Sequence, residues 1–496
     1  MRVIHLSLAD FRNYERADVS FAPGPNLVIG RNGQGKTNLV EAIAYFASLR
    51  SHRVSGDAAL IRAGCDTGVA RMRVGVGERE ALLEIEFNRG SPNRAQINRN
   101  AHRPRELTRW FSAVVFAPED LMVVRGDPAG RRRFLDDAVV ALNPAMGAVM
   151  GDYERVVRQR TALLKSARAN NARSAVDATL AVWDEQLVAL GSRIIFERRR
   201  LVAALLEPLG DSYRRLVDAD HRPRLLLEES IAREETDVSR ETSVSSAAFG
   251  GVAASEPGAI PGPSEFDATT TGEADLTVLD GSESAGPVPD DDSTTATSDG
   301  ADSAGRGDAD AIRDAVDADI DVSRETIEAD FRAALARYRS QELDRAVTLI
   351  GPHRDDLLLE LNGLPVKGYA SHGESWSVAL ALRLAVAELL RRESPAGDPV
   401  IILDDVFAEL DSGRRERLMA AVGSYEQVIV TAAVEDDVPN GRLWHTVRIA
   451  AGAVVEAGDA RASTESEPQE MTDTETSSIE VDAAGTLEPG GDADVA

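Results

Sequence analysis

The octapeptide Gly30-Arg31-Asn32-Gly33-Gln34-Gly35-Lys36-Thr37 fits the pattern G-x-x-x-x-G-K-[ST]. Before it, Leu27-Val28-Ile29 is an apolar run of buried-strand length. After it, Asn38 to Phe46 places apolar residues at helical spacing. Strand, glycine loop and helix in this order leave few folds open. Gly30, Gly33 and Gly35 are expected to turn the backbone inward, so that the N–H groups from Arg31, Asn32 and Gln34 to Thr37 face phosphate oxygens. The helix N-terminus adds partial positive charge. In such a loop Lys36 is expected on the β- and γ-phosphates and the Thr37 hydroxyl on Mg2+.

A second pattern lies far downstream. Val400-Ile401-Ile402-Leu403 is a fully apolar run that ends in Asp404-Asp405, the Walker B arrangement. A buried strand is expected to deliver Asp404 beside the P-loop, where it can hold Mg2+ directly or through water. Asp405 stands where ABC-type ATPases usually carry a glutamate that polarises the attacking water. Ala408-Glu409-Leu410-Asp411 resembles their D-loop, and Ala370-Ser371-His372-Gly373-Glu374-Ser375 resembles their signature. Ser371, Gly373 and the N–H groups of the helix they open form an anion site; Ser371 serves equally well as an ordinary N-cap. The resemblance implies ATP as the nucleotide. It also implies a homodimer in which each signature closes over the partner's γ-phosphate, giving two identical composite sites.

The chain has 496 residues and 43% hydrophobic content, enough for a large core. One cysteine, Cys65, excludes a disulfide framework and fits a reducing compartment. No apolar run reaches the length of a membrane span, and Met1 to Leu6 reads as a strand and not as a signal peptide. A cytoplasmic protein with no membrane partner is expected. The net charge of −28 is unevenly spread: residues 231–326 carry −18 and residues 456–496 carry −11. The remainder is close to neutral, so the acidity does not by itself exclude a nucleic-acid surface.

The expected class is α/β, an ABC-type P-loop ATPase head with an inserted helical lobe, plus a disordered acidic insertion and tail. Residues 1–130 alternate in strand fashion around the P-loop helix and form the N-terminal half of the ATPase. Residues 131–230 form the helical lobe, with helices expected over Tyr153 to Ala169, Val176 to Leu206 and Leu209 to Val217. Residues 231–326 are too rich in Asp, Ser, Thr, Ala, Gly and Pro to build a core. Residues 327–455 complete the lobe and the ATPase, with a strong helix from Trp376 to Arg392, and 456–496 form the tail. Inside the insertion Asp237-Val238-Ser239-Arg240-Glu241-Thr242 recurs as Asp321-Val322-Ser323-Arg324-Glu325-Thr326. The repeat fits a local duplication or a short recognition motif for a partner protein; a different reading is a DNA element carried in a tolerant segment, since one coding of the hexapeptide contains a palindrome that resembles a ParB partition site.

Leu8-Ala9-Asp10-Phe11-Arg12-Asn13-Tyr14 is similar to the opening of the RecF family of bacterial recombination-mediator ATPases. Ala117-Pro118-Glu119-Asp120-Leu121, with Gly126-Asp127-Pro128 and Arg131-Arg132-Arg133-Phe134-Leu135-Asp136, resembles one signature block of that family. Gly351-Pro352-His353-Arg354-Asp355-Asp356 resembles the second. The resemblance covers roughly residues 1–230 and 327–455. It implies ATP-dependent binding to single-stranded and gapped DNA and junctions as an ATP-bridged dimer, with slow DNA-stimulated hydrolysis. It further implies partnership with RecO and RecR in loading RecA, for repair, replication restart and the SOS response. The family is related to SMC ATPases without their coiled coils, and no sustained heptad run occurs here.

Two positions depart from ABC habit. Pro118-Glu119-Asp120 fills the Q-loop place without a glutamine, and Thr431-Ala432 stands where a switch histidine is common. Candidates for DNA contact are Arg50, His52, Arg53, Arg131 to Arg133 and the helical-lobe arginines, each of which could instead be a solvated or salt-bridged residue. A transporter ATPase would need a membrane partner and would not need the two family blocks. A non-hydrolysing SMC-like clamp or scaffold remains open because Asp405 replaces glutamate.

Overall fold

A computed structural model describes residues 1–54, 56–170, 177–233, 324–394, 397–439 and 442–461. At its centre lies a six-stranded sheet. In chain order its strands are β3 (Gly24–Ile29), β8 (Ala113–Phe116), β12 (Val400–Asp404), β13 (Gln427–Ala432), β14 (Leu443–Ala450) and β15 (Ala453–Arg461). In space they run β15-β14-β3-β13-β12-β8, parallel except for the β14–β15 hairpin. Every residue of β12 and β13 is buried, as expected for parallel strands covered on both faces.

Period-two alternation sends neighbouring residues into different cores. Val28, Val400, Ile402 and Ile429 face α1 (Lys36–Ser48) and the second sheet. That second sheet is antiparallel: β1 (Arg2–Phe11), β2 (Tyr14–Ser20), β4 (Thr67–Val76), β5 (Arg79–Asn88), β6 (Arg94–Ile97) and β7 (Asn100–His102), in the order β2-β1-β4-β5-β6-β7. Leu27, Ile401, Leu403, Val428 and Val430 face the helical side. There lie α2 (Leu121–Arg125), α3 (Pro128–Leu142), α4 (Met146–Ala169), α5 (Asp177–Val217), α6 (Arg324–Arg345), α7 (His372–Glu393) and α8 (Ser412–Val422). A three-stranded sheet, β11-β10-β9, joins them: β9 (Arg224–Glu228), β10 (Asp356–Leu361) and β11 (Leu364–Pro365). The α/β head with an inserted helical layer is as expected.

Several boundaries differ from the expectation. The helices expected on either side of Pro208 are one helix of 41 residues. Proline inside a helix removes a hydrogen bond and crowds the preceding turn, at about 3 kcal/mol. Leu201, Leu205, Leu209 and Tyr213 bury one unbroken stripe across it, and that burial outweighs the break. Ordered structure also reaches into the range expected for the insertion. Ile231 is buried in the helical core, and α6 begins at Arg324 inside the second copy of the hexapeptide. The first copy, residues 321–323 of the second, the bulk of the insertion and residues 462–496 lie outside the described residues. The expected tail start at Glu456 falls within β15.

Candidate nucleotide-binding site

The P-loop leaves the C-terminal end of β3 and enters α1 through Gly35, at φ +118°, after Gly33 at φ +80°. Both are left-handed positions that favour glycine. Gly30 is a glycine for another reason: a Cβ there would run into the Ile449 carbonyl of β14. The expectation that all three glycines turn the chain therefore holds for two. The N–H groups of Gly33, Gly35, Lys36 and Thr37 find no acceptor among the described residues, as is usual for a helix start that faces an anion.

Lys36 is buried. Its Nζ donates to Asn32 Oδ1 at 3.3 Å and lies 3.8 Å from Asp405 Oδ1. Arg31, Asn32 and Gly33 form the exposed rim of the loop. Thr37 Oγ1 donates to Asp404 Oδ1 at 3.2 Å, closing a gap of 367 residues in sequence. Asp404 is 3% exposed. Burial, reinforced by Asp405 and Glu119, pushes its carboxyl up to about 6 against the donation from Thr431 and Thr37. Asp405 follows at φ +52°. Thr431, the register partner of Asp404 in β13, donates its hydroxyl to Asp404 Oδ1 at 2.7 Å and accepts from Asp405 N at 2.8 Å.

The opening motif supports the loop from below. Arg12, itself at φ +55°, grips Glu41 of α1 through both carboxylate oxygens, at 2.6 and 2.8 Å. Asn13 Nδ2 donates to the Gln34 carbonyl at 3.1 Å, and Tyr14 Oη to the Gly35 carbonyl at 2.9 Å. From above, the β14–β15 turn reaches Gln34: Ala451 N donates to its side-chain oxygen and Gly452 N to its carbonyl. Neither support is visible in the octapeptide.

His52, a candidate DNA contact by sequence, faces the site. Its Nε2 is buried without a hydrogen-bond partner, 4.0 Å from Asp404 Oδ2, and burial lowers its pKa. The segment in the Q-loop place tethers the signature helix. Asp120 takes Arg383 of α7 at 2.6 Å, while Glu119 stays exposed. Ser371 forms a capping box with Glu374 at the start of α7. Beside it, Arg414 packs so closely on Gly373 that a Cβ would lie 2.8 Å from its guanidinium. Among the described residues, Ser371 and Gly373 make no hydrogen bond to residues 30–37.

Several of the other candidate DNA-contact arginines are held in structural pairs, while others of the helical lobe, such as Arg155, Arg193 and Arg215, are exposed. Arg131 is buried in a two-bond pair with Asp356 at 2.7 Å, and Arg132 donates to the Asp355 carbonyl. Those bonds join the two family blocks to each other. Arg160 and Arg198 are buried against Asp184 with Glu342 and against Asp136. Arg50 is exposed and 3.6 Å from Asp137, Arg53 binds Asn38, and Arg133 is exposed. A different basic surface was missed. Arg94, Arg99, Arg103, Arg105 and Arg109 are all exposed along β6, β7 and the following turn Pro104–Arg109, next to Trp110, which is 40% exposed. The turn packs on α1 through buried Leu107. Arginines spaced two to five apart, with an aromatic, are the available signal.

Residues 2–452 match the family described as the RecF/RecN/SMC N terminal domain. The DNA replication and repair protein RecF of Leifsonia xyli subsp. xyli is 48% identical over 456 residues, 92% of this chain and 100% of the relative. That of Clavibacter michiganensis subsp. michiganensis is 46% identical, over 92% of this chain and 96% of the relative. That of Streptomyces avermitilis is 43% identical, over 88% and 95%. Among solved structures, the recombination mediator protein RecF with ATP, of the RecFOR pathway, superposes with a TM-score of 0.68 at 21% identity, over 92% of this chain and 97% of that one. At that identity the likeness speaks for the fold. With a family match across nearly all the described residues, and relatives close to half identical along almost their whole length, the chain belongs to the RecF family.

Proposed function

We propose that the protein is an ATP-dependent DNA-binding protein of recombinational repair and replication restart. The observation that carries the nucleotide part is the meeting of two distant motifs, Thr37 Oγ1 on Asp404 Oδ1 at 3.2 Å, under a loop whose N–H groups at Gly33, Gly35, Lys36 and Thr37 are open to phosphate. Those residues fit ATP with Mg2+: a row of backbone donors, one buried ammonium, one hydroxyl and one buried carboxylate. Bound Mg2+-ATP supplies the γ-phosphate that distinguishes the two nucleotide states. Gly30 to Gly35 would cradle the phosphates, Lys36 would neutralise the β- and γ-phosphates, and Thr37 and Asp404 would hold the metal. Asp405 would orient the attacking water.

Among the described residues, Ser371 and Gly373 make no hydrogen bond to the chain's own P-loop, which supports the reading that they cap the nucleotide of a second copy in an ATP-bridged dimer. By likeness to RecF relatives, the protein would act with RecO and RecR to load RecA on gapped and single-stranded DNA, supporting the SOS response. The exposed arginines from Arg94 to Arg109, beside Trp110, favour a phosphate-backbone contact on a turn that packs against α1. By likeness to the RecF relatives, a cytoplasmic location is expected; among the described residues no helix is long and apolar enough to cross a membrane.

One observation favours a second reading, a clamp that binds ATP and barely turns it over. Asp405 is shorter than glutamate and lies within 3.8 Å of Lys36, an ionic contact that competes with water activation. Steady-state hydrolysis with and without gapped DNA separates the two. The nucleotide site itself is tested by Lys36→Ala, expected to lose tight ATP binding in equilibrium titration. Wild-type affinity in that variant would sink the site.

A further inference from the structure

Thr431 stands where many ABC proteins carry a histidine, and its side chain is turned inward, 0% exposed. We propose that the Thr431 hydroxyl is the positioning residue of the hydrolysis site, setting the orientation of Asp404 and Asp405 together. The inference rests on the nucleotide-site reading above.

A hydroxyl has one proton and two lone pairs. Here the proton goes to Asp404 Oδ1 at 2.7 Å, and a lone pair takes the Asp405 N–H at 2.8 Å. One oxygen atom therefore touches the side chain of the first acid and the backbone of the second. Thr37 donates to the same Asp404 oxygen at 3.2 Å. Two hydroxyls on one carboxylate oxygen fix the rotation of that group and leave Oδ2 on the side of His52, 4.0 Å away.

The backbone contact matters for Asp405. It sits at φ +52°, ψ +20°, a left-handed conformation that non-glycine residues seldom take. In that conformation the peptide N–H points back across β12 to β13, and the Thr431 oxygen receives it. The direction of the Asp405 side chain follows from the fixed peptide, and places its Oδ1 3.8 Å from Lys36 Nζ and 3.4 Å from the Thr431 hydroxyl. A residue at position 431 without a hydroxyl would at once leave Asp404 on the longer Thr37 bond alone and take away the acceptor of the Asp405 N–H. Thr431 thus acts on the chemistry through its neighbours.

The test uses the full chain as wild type, Thr431→Val, Thr431→Ala and Thr431→Ser, with Lys36→Ala as control. Equilibrium binding of a fluorescent ATP analogue is measured with and without Mg2+, alongside steady-state hydrolysis. Valine keeps the shape and removes the hydroxyl; alanine covers the case in which a methyl against two carboxylates disturbs folding. Both are expected to bind Mg2+-free nucleotide as wild type does, to lose the gain in affinity on adding Mg2+, and to show kcat lower by about a hundredfold at little changed KM, the scale of a misplaced group. Serine is expected to recover most of both. A purely structural role would lower the melting temperature without splitting kcat from KM. Full Mg2+ gain and kcat in Thr431→Val, or a serine variant as impaired as valine, overturns the proposal. So does loss of Mg2+-free binding in Thr431→Val. Wild-type nucleotide affinity in Lys36→Ala is a different failure, that of the nucleotide site.

Discussion

Asp404→Asn should stabilise the nucleotide-free protein while removing its response to metal. Asp404 is 3% exposed, and burial lifts its pKa from 3.8 to about 6. That shift of roughly two units amounts to about 3 kcal/mol at about 1.36 kcal/mol per unit. The sign follows from linkage. The folded carboxyl holds its proton more tightly than the unfolded one, so its stabilising contribution is complete below pH 3.8 and is lost as pH rises through about 6. At pH 7.5 the wild-type protein carries the full strain of an ionised buried acid. Asparagine does not titrate, and its side-chain oxygen still accepts from Thr37 and Thr431. The variant should therefore melt higher by about 3 °C at pH 7.5 without nucleotide. The gap should close by about pH 4, since other titrating groups are common to both proteins and cancel. Mg2+-ATP should raise the wild-type melting point more than ATP alone, through the added affinity; in Asp404→Asn the two should coincide. Thermal melts at both pH values decide it. A variant that melts below wild type at pH 7.5, or a gap unchanged at pH 4, refutes the idea that burial strains this carboxylate.

Two further outcomes are expected. Ser371→Arg should leave ATP binding by the monomer intact and block the ATP-dependent mass increase in gel filtration, because a bulky cation fills the place of the partner's γ-phosphate; a dimer that still forms with ATP counts against the signature reading. The triple variant Arg103→Ala, Arg105→Ala, Arg109→Ala should weaken binding to gapped DNA without regard to sequence and flatten the slope of log affinity against log salt by about 2 to 3; an unchanged slope places the DNA elsewhere.

The chemistry-bearing motifs were legible because each is local. Strand, loop and helix around Lys36 lie within about twenty residues, and four apolar residues before Asp404 announce a doubly covered strand. What failed depended on distant partners. Nothing near Gly30 shows that Ile449 will press against it. The arginines of the block from Arg131 read as a DNA surface until Asp356 and Asp355 fold back onto them. His52 looked like one of a basic group, and only the fold turns it toward Asp404. Pro208 gave the right local signal and was overridden by a stripe of buried leucines. The basic β6–β7 edge carries no motif at all, only a run of exposed arginines.

The strand order has a consequence for how such a chain is made. β3 lies between β13 and β14, both synthesised about four hundred residues later. At roughly 5–20 residues per second, β3 and the P-loop wait some 20–80 s on the ribosome for the neighbours that complete them. The antiparallel sheet can form long before, since all its strands lie between Arg2 and His102. The supports of Gln34 and Gly30 come from Ala451, Gly452 and Ile449, among the last described residues to emerge. The nascent chain therefore carries its nucleotide motif early and cannot complete the loop that uses it until synthesis has passed residue 452.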